Sequence, residues 1–224
     1  MNKAEGRGIM RQKLAAEFLG TLLLVTTVVG SGIMAERLSA GNDGLALLGN
    51  TIATGAILYV LITLFSQISG AHFNPAVSWV MMLKGDLNRQ VLTYYIILQI
   101  TGGICGTFLA HIMFEVPVIQ LSETLRSGPY QYVSEIVASF GLVLTILLGV
   151  RYRPEAVAML VGLYITAAYW FTASTSFANP AVTIARTLTN SFSGIYYGDT
   201  AFFILAQITG GYLALRVARF LETA

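Results

Sequence analysis

Six separate stretches of this chain are apolar for long enough to cross a bilayer, and no other feature limits its fold as strongly. They run at about Leu14–Ala35, Leu45–Phe65, Val91–Phe114, Gln131–Val150, Ala156–Ala173 and Thr200–Leu221. About 20 such residues span the hydrocarbon core as a helix. The first stretch is too long for the core of a signal peptide, and five more follow it. The remaining composition agrees. Charged residues make up 11% of the 224 positions and the net charge is +2, against about 25% charged in soluble domains. Disorder is excluded, because it needs low hydrophobicity and high net charge. A nucleic-acid partner is not expected, because so small a charge attracts phosphate weakly. The single cysteine, Cys105, allows no internal disulfide and no cysteine-rich metal cluster. The expected class is an all-α, polytopic membrane protein.

The basic residues orient the spans. Lys3, Arg7, Arg11 and Lys13 precede the first span, and Lys84 and Arg89 lie between the second and third. Arg151 and Arg153 lie between the fourth and fifth, and Arg216 and Arg219 close the sixth. These are 10 of the 13 basic residues, leaving Arg37, Arg126 and Arg186 opposite. The positive-inside rule then places both termini in the cytoplasm. The longest connections, about 114–130 and 174–199, leave no room for a soluble catalytic domain.

The chain also repeats itself. Ala71-His72-Phe73-Asn74-Pro75-Ala76-Val77 is matched by Ser176-Phe177-Ala178-Asn179-Pro180-Ala181-Val182, with the two asparagines 105 positions apart. The pentamer Gln99-Ile100-Thr101-Gly102-Gly103 recurs as Gln207-Ile208-Thr209-Gly210-Gly211. Glu17 with Gly20 in the first span is matched by Glu135 with Gly141 in the fourth. Three matches in one order indicate a duplication, with repeats at about 10–114 and 128–222 of one domain covering 1–224. Each repeat holds an odd number of spans, so the second is inverted in the membrane. Inverted repeats typify transporters and channels, with the site near the midplane.

The segment after Asn74 stays apolar to about Leu83, and Asn179 to Leu188 repeats that length. Ten residues make a helix about 15 Å long, half the hydrocarbon core. Asn is a good N-cap and Pro suits the first helical position. Each Asn-Pro-Ala therefore starts a half-helix, and inversion brings the two positive N-termini together near the midplane. Two asparagine amides would project NH2 donors there, suited to a neutral hydroxylated solute and hostile to cations and proton chains. The preceding loops, Gln67–Phe73 and Ala173–Ala178, must line a cavity or be satisfied by protein. Glu17 and Glu135 are read as acceptors that hold these loops, with proton coupling as the functional alternative. Gln99 and Gln207 act similarly or line the pore. The glycine pairs fit close helix crossings.

Taken together, Ser69-Gly70-Ala71-His72-Phe73-Asn74-Pro75-Ala76-Val77, Phe177-Ala178-Asn179-Pro180-Ala181 and Ala16-Glu17-Phe18-Leu19-Gly20-Thr21 resemble the aquaporin and aquaglyceroporin (major intrinsic protein) family along the whole chain. The resemblance implies six transmembrane helices plus two re-entrant half-helices around one pore per subunit. It also implies a homotetramer in membrane lipid, passive conduction of small neutral solutes, exclusion of protons, and no cofactor, metal or catalysis. The family's filter has an Arg directly after the second Asn-Pro-Ala, where this chain has Val182. The span-2 filter position is Thr54, where water-selective members carry a bulky aromatic. The span-5 position is Tyr169, with Ala168 and Trp170 as alternatives, and the loop position is Ser176 or Thr175. The filter is thus wide and short of charge, like that of the bacterial aquaglyceroporins associated with arsenic-resistance operons. That likeness implies glycerol, water and arsenite as As(OH)3 as solutes, in a bacterial inner membrane.

Other residues have two readings each. Arg186, four positions after Val182, is a displaced filter cation or, preferably, a snorkelling side chain at the membrane surface. His72 lines the pore or packs. Cys105 is read as buried packing, and Tyr169-Trp170-Phe171 as an interfacial belt in preference to a solute platform. A coupled transporter would need Glu17 or Glu135 as its ion site. An intramembrane enzyme lacks a nucleophile–base pair, and the only histidines are His72 and His111.

Overall fold

The computed structural model describes residues 3–222. Among the described residues there are eight α-helices: α1 (Lys3–Leu38), α2 (Asp43–Ser69), α3 (Pro75–Lys84), α4 (Arg89–Met113), α5 (Pro129–Tyr152), α6 (Val157–Phe171), α7 (Pro180–Ala185) and α8 (Thr200–Glu222). Six segments are long and apolar enough to cross a membrane, and each contains or overlaps one of the apolar runs read from the sequence. The polarity of the molecule is that of a membrane protein. Leu64, Ile112, Leu163 and Leu205 are exposed on its outside, whereas Glu17, Gln99, Glu135 and Gln207 are fully buried. A soluble protein shows the opposite distribution.

Helix boundaries follow local chemistry. Asn42 and Asn88 cap α2 and α4 by accepting from Leu45 N and Val91 N. Gly70 and Gly85 close α2 and α3 in the left-handed conformation, which glycine adopts without a Cβ penalty. Packing then builds two matching halves. The most extensive packing joins α1 to α4 and α5 to α8, and α2 packs against α6. Glycine permits these approaches. A Cβ on Gly102 would run into the backbone oxygen of Phe18, and one on Gly210 into that of Ile136. Gly55 and Gly162 face each other's carbonyls in the same way.

The helix ends sort into two faces. Arg219 donates to the Leu83 carbonyl, and Arg151 lies 3.9 Å from Glu222, so the ends of α3, α5 and α8 share one face. On the opposite face Arg37 donates to the Phe114 carbonyl and the Phe192 N–H donates to Glu36. The side chains of Lys3 and Arg7 lie outside the described residues.

The second half-helix reaches Leu188, the expected end, but not as a continuous α-helix. It is α-helical for 6 residues and tightens into a 3-10 turn over Arg186–Leu188. Two neighbours compete for its carbonyls: the Thr107 hydroxyl of α4 donates to Ala185 O, and Ile195 N of the outer connection donates to Arg186 O. A 3-10 turn is a common way for an α-helix to end under such competition.

Candidate functional site

Helices α3 and α7 meet at their N-termini. Asn74 and Asn179 are extended residues whose side-chain Oδ1 accepts from the next free backbone N–H groups, Ala76 and Val77 in one half, Ala181 and Val182 in the other. Pro75 and Pro180 occupy the first helical positions, where no donor is lost. The remaining amide atoms cross between the halves. Asn74 Nδ2 donates to Ala178 O at 2.7 Å, and Asn179 Nδ2 donates to Phe73 O at 2.8 Å. This corrects the picture of two free NH2 groups. One N–H of each amide is committed to the partner half, leaving one from each.

The loops that deliver these caps are conformationally demanding. Ala71, Phe73, Ser176 and Ala178 all have φ between 47° and 50°, which non-glycine residues seldom adopt. Glu17 accepts from Ser69 Oγ and His72 N on one oxygen, and from Phe73 N and Gln99 Nε2 on the other. Glu135 accepts from Ser174 Oγ and Phe177 N, and from Ala178 N and Gln207 Nε2. Such strain persists only where surrounding structure over-determines it, and here each carboxylate supplies that restraint. Gln99 also donates to Ser78, as Gln207 does to Thr183. Ser174, Ser78, Thr183 and Tyr95, whose hydroxyl donates to Ser69 O, were not singled out in the sequence, and Ser69 was named only as the first residue of a motif. The 105-residue offset relating the motifs pairs Ser69 with Ser174 and Ser78 with Thr183, and was the available signal.

A cavity of about 760 Å³ passes the two caps, with Lys13 and Glu155 lining it toward the basic face and Arg186 toward the other. Thr54, His72, Asn74, Tyr169, Ser176, Asn179 and Val182 all line it. Ala168 and Thr175 do not, and Trp170 is half exposed on the outside. The Tyr169 hydroxyl donates to Thr54 Oγ1 at 3.3 Å, and Thr54 donates on to Asn50 O. Val182 contributes apolar wall immediately after the second Asn-Pro-Ala. Ser176 Oγ is buried without a partner. His72 does both things considered for it: it lines the cavity and packs edge-on against Tyr95, 5.5 Å away, with Nδ1 3.0 Å from Ser78 Oγ.

Three readings need correction. Arg186 is not a surface snorkeller. It is 1% exposed, lines the cavity, donates through Nε to Ser193 O and lies 3.4 Å from the centre of the Phe177 ring. Its location on the short 3-10 turn draws it inward under the outer loop. Cys105 is exposed, not buried, because α4 turns its glycine face inward to α1. The run Tyr169-Trp170-Phe171 divides: Tyr169 is buried, while Trp170 and Phe171 face outward. Arg126 was placed only by side. It sits over Phe177 and donates to Gly194 O, Phe192 O and Thr175 Oγ1, fastening the outer connections together.

The comparisons with known proteins agree with one another. The family model described as major intrinsic protein matches residues 7–154. The chain is 58% identical over 212 residues to the aquaglyceroporin AqpS of Rhizobium meliloti (strain 1021), covering 95% of this chain and 91% of that one. It is 31% identical over 150 residues to the glycerol uptake facilitator protein of Streptococcus pneumoniae (strain ATCC BAA-255 / R6), covering 61% and 64%. The X-ray structure of the aquaglyceroporin from Plasmodium falciparum matches with a TM-score of 0.77 at 20% identity, covering 96% of this chain and 100% of that one. The last likeness is one of fold.

Proposed function

This chain belongs to the major intrinsic protein family, and from that premise we propose that it is a passive channel for small uncharged solutes whose wide filter admits glycerol, water and arsenite as As(OH)3. The filter is built by Thr54, Tyr169, Ser176 and Val182. Val182 carries the reading. At this point on the cavity wall, an arginine would supply a fixed charge and a fork of donors. Valine supplies neither and leaves more room. A solute wider than water, with hydroxyls to satisfy, then meets Tyr169 and Thr54 on one side and the asparagine amides farther in.

The carboxylates favour a channel over a coupled transporter. Every oxygen of Glu17 and Glu135 already accepts two hydrogen bonds. Protonating either would place an O–H donor among groups that are themselves donors, in a site with no acceptor to spare for it among the hydrogen bonds it makes. The exposed apolar faces of the spans suit lipid and sister subunits of a homotetramer, in a bacterial inner membrane with the basic face cytoplasmic.

Val182→Arg tests the filter. In stopped-flow measurements on proteoliposomes, glycerol and arsenite passage should fall by about tenfold, equivalent to roughly 1.4 kcal/mol on the barrier, with water affected less. Equal loss for all solutes, or no loss, would place the constriction elsewhere.

A further inference from the structure

The substitution that widens the filter also removes its charge, yet a guanidinium remains one helical turn away. Arg186 lies four positions after Val182, a displacement of about 6 Å along the helix toward the outer end. Arg186 is 1% exposed and lines the cavity. Its Nε is held by Ser193 O and its face lies on Phe177, but Nη1 has no partner. Among the described residues no carboxylate pairs with it; the ion pairs are Lys84–Asp86 and Arg151–Glu222, both at the opposite end. Glu135 is in its electrostatic surroundings, but that carboxylate is saturated by four donors of its own. Arg126 approaches the same Phe177 ring at 5.0 Å and adds positive charge, with its nitrogens already committed to the outer loops.

The repeat supplies the control. Met81 stands at the position of the first half that corresponds to Arg186, four residues after Val77, and it also lines the cavity. The duplicated architecture therefore accepts a neutral side chain here, and only the outer end carries the charge.

We propose that Arg186 is a specificity-determining residue of this channel: set back from the constriction, it repels cations while leaving the filter at Val182 free of charge and bulk. The proposal rests on the channel reading above. An arginine keeps its proton at any physiological pH. In a wall from which water is largely excluded, a fixed charge acts on a passing cation more strongly than it would in bulk. A neutral solute feels only its weaker dipole. Size selection and charge selection, which one arginine would combine, are thereby separated along the pore.

Urea and guanidinium test this directly, being planar, similar in size, and different in charge. The full chain is reconstituted into proteoliposomes, and uptake of each labelled probe is measured beside glycerol. The unmodified channel should pass glycerol and urea and hold guanidinium at the protein-free background. Arg186→Met, which installs the residue of the other half, should raise guanidinium uptake about tenfold or more above that background while urea changes by less than about twofold. Arg186→Lys should exclude guanidinium again, because it keeps the charge while losing the planar contact with Phe177. Should Arg186→Met fail to insert, Arg186→Gln, which retains a donor for Ser193, serves with the same outcomes. Guanidinium passage through the unmodified channel overturns the proposal. So does continued exclusion by the neutral variant, or a leak through Arg186→Lys equal to that of the neutral variant. Absence of glycerol and urea flux in the unmodified protein would instead defeat the channel reading itself.

Discussion

The two halves of the cavity wall agree closely in how they hold their half-helices and differ in what they show to a solute. In both, a buried glutamate collects a serine hydroxyl, two loop N–H groups and a glutamine amide at 2.6–2.9 Å. In both, an asparagine caps its own helix and bonds the backbone of the other, followed by a valine that lines the cavity. The halves part at His72 against Phe177, at Met81 against Arg186, and where α3 runs 10 residues but α7 only 6. Support is duplicated, and the side chains turned to the cavity are only partly so. A change in the shared framework should therefore act equally in either half, and a change in the divergent wall should alter flux with little effect on stability.

The largest effect is expected from the glutamates. Glu17→Ala and Glu135→Ala each strip the acceptor from four donors, in loops that already hold three residues apiece at positive φ. Removing one partner of a buried charged network costs about 3–5 kcal/mol. Thermal unfolding in detergent, followed by circular dichroism, should show both variants falling together. If one is tolerated and the other is not, the equivalence of the halves is broken.

Next come the crossing glycines. Gly102→Ala and Gly210→Ala would press a methyl group into the Phe18 and Ile136 carbonyls, and overpacking of this kind costs about 1–3 kcal/mol. Gly8→Ala, with open space around its Cβ position, is the control and should be neutral or slightly stabilising. Unfolding midpoints of the three variants would check the ranking. A loss in Gly102→Ala without one in Gly210→Ala would show that the two glycine-lined helix contacts are not equivalent.

How far these contrasts could be read beforehand depends on range. Spans come from runs of about twenty apolar residues, and the half-helices from Asn-Pro at the head of an apolar ten; both are local patterns and are legible. Thr54 and Val182 are reached through the family resemblance, which supplies the filter positions relative to those motifs. The crossed amides of Asn74 and Asn179 join residues more than a hundred positions apart, which periodicity does not register. Arg186 failed for a related reason. Hydropathy puts a lone arginine at the membrane surface, and only the pairing of Ile195 with the Arg186 carbonyl, in a loop without regular pattern, turns the chain so that the side chain is enclosed. Cys105 was misplaced because Gly102, Gly103 and Gly106 claim the inner face of α4, and with Cβ contacts unknown that face could not be chosen.

The smallest expected effect concerns Tyr169. The mutual contact of Gly55 with Gly162 pairs α2 with α6 at an offset of 107, so Thr54 corresponds to Val161 and Tyr169 to Ile62. All four line the cavity, but only the outer pair is polar. Its hydroxyls form a relay from Tyr169 through Thr54 to the Asn50 carbonyl, which uses both protons and leaves oxygen lone pairs toward the cavity. On the proposed channel reading, that wall offers acceptors to a solute, complementing the N–H donors at the asparagines. Tyr169→Phe removes one acceptor without opening space. A neutral hydrogen bond contributes about 0.5–1.5 kcal/mol, so glycerol permeability should fall between about twofold and tenfold, with water permeability less affected and the unfolding midpoint unchanged. A fall in water permeability equal to that of glycerol would mean that Tyr169 sets the width of the pore and not its affinity for hydroxyls, and the polar distinction between the two ends would then rest on Arg186 alone.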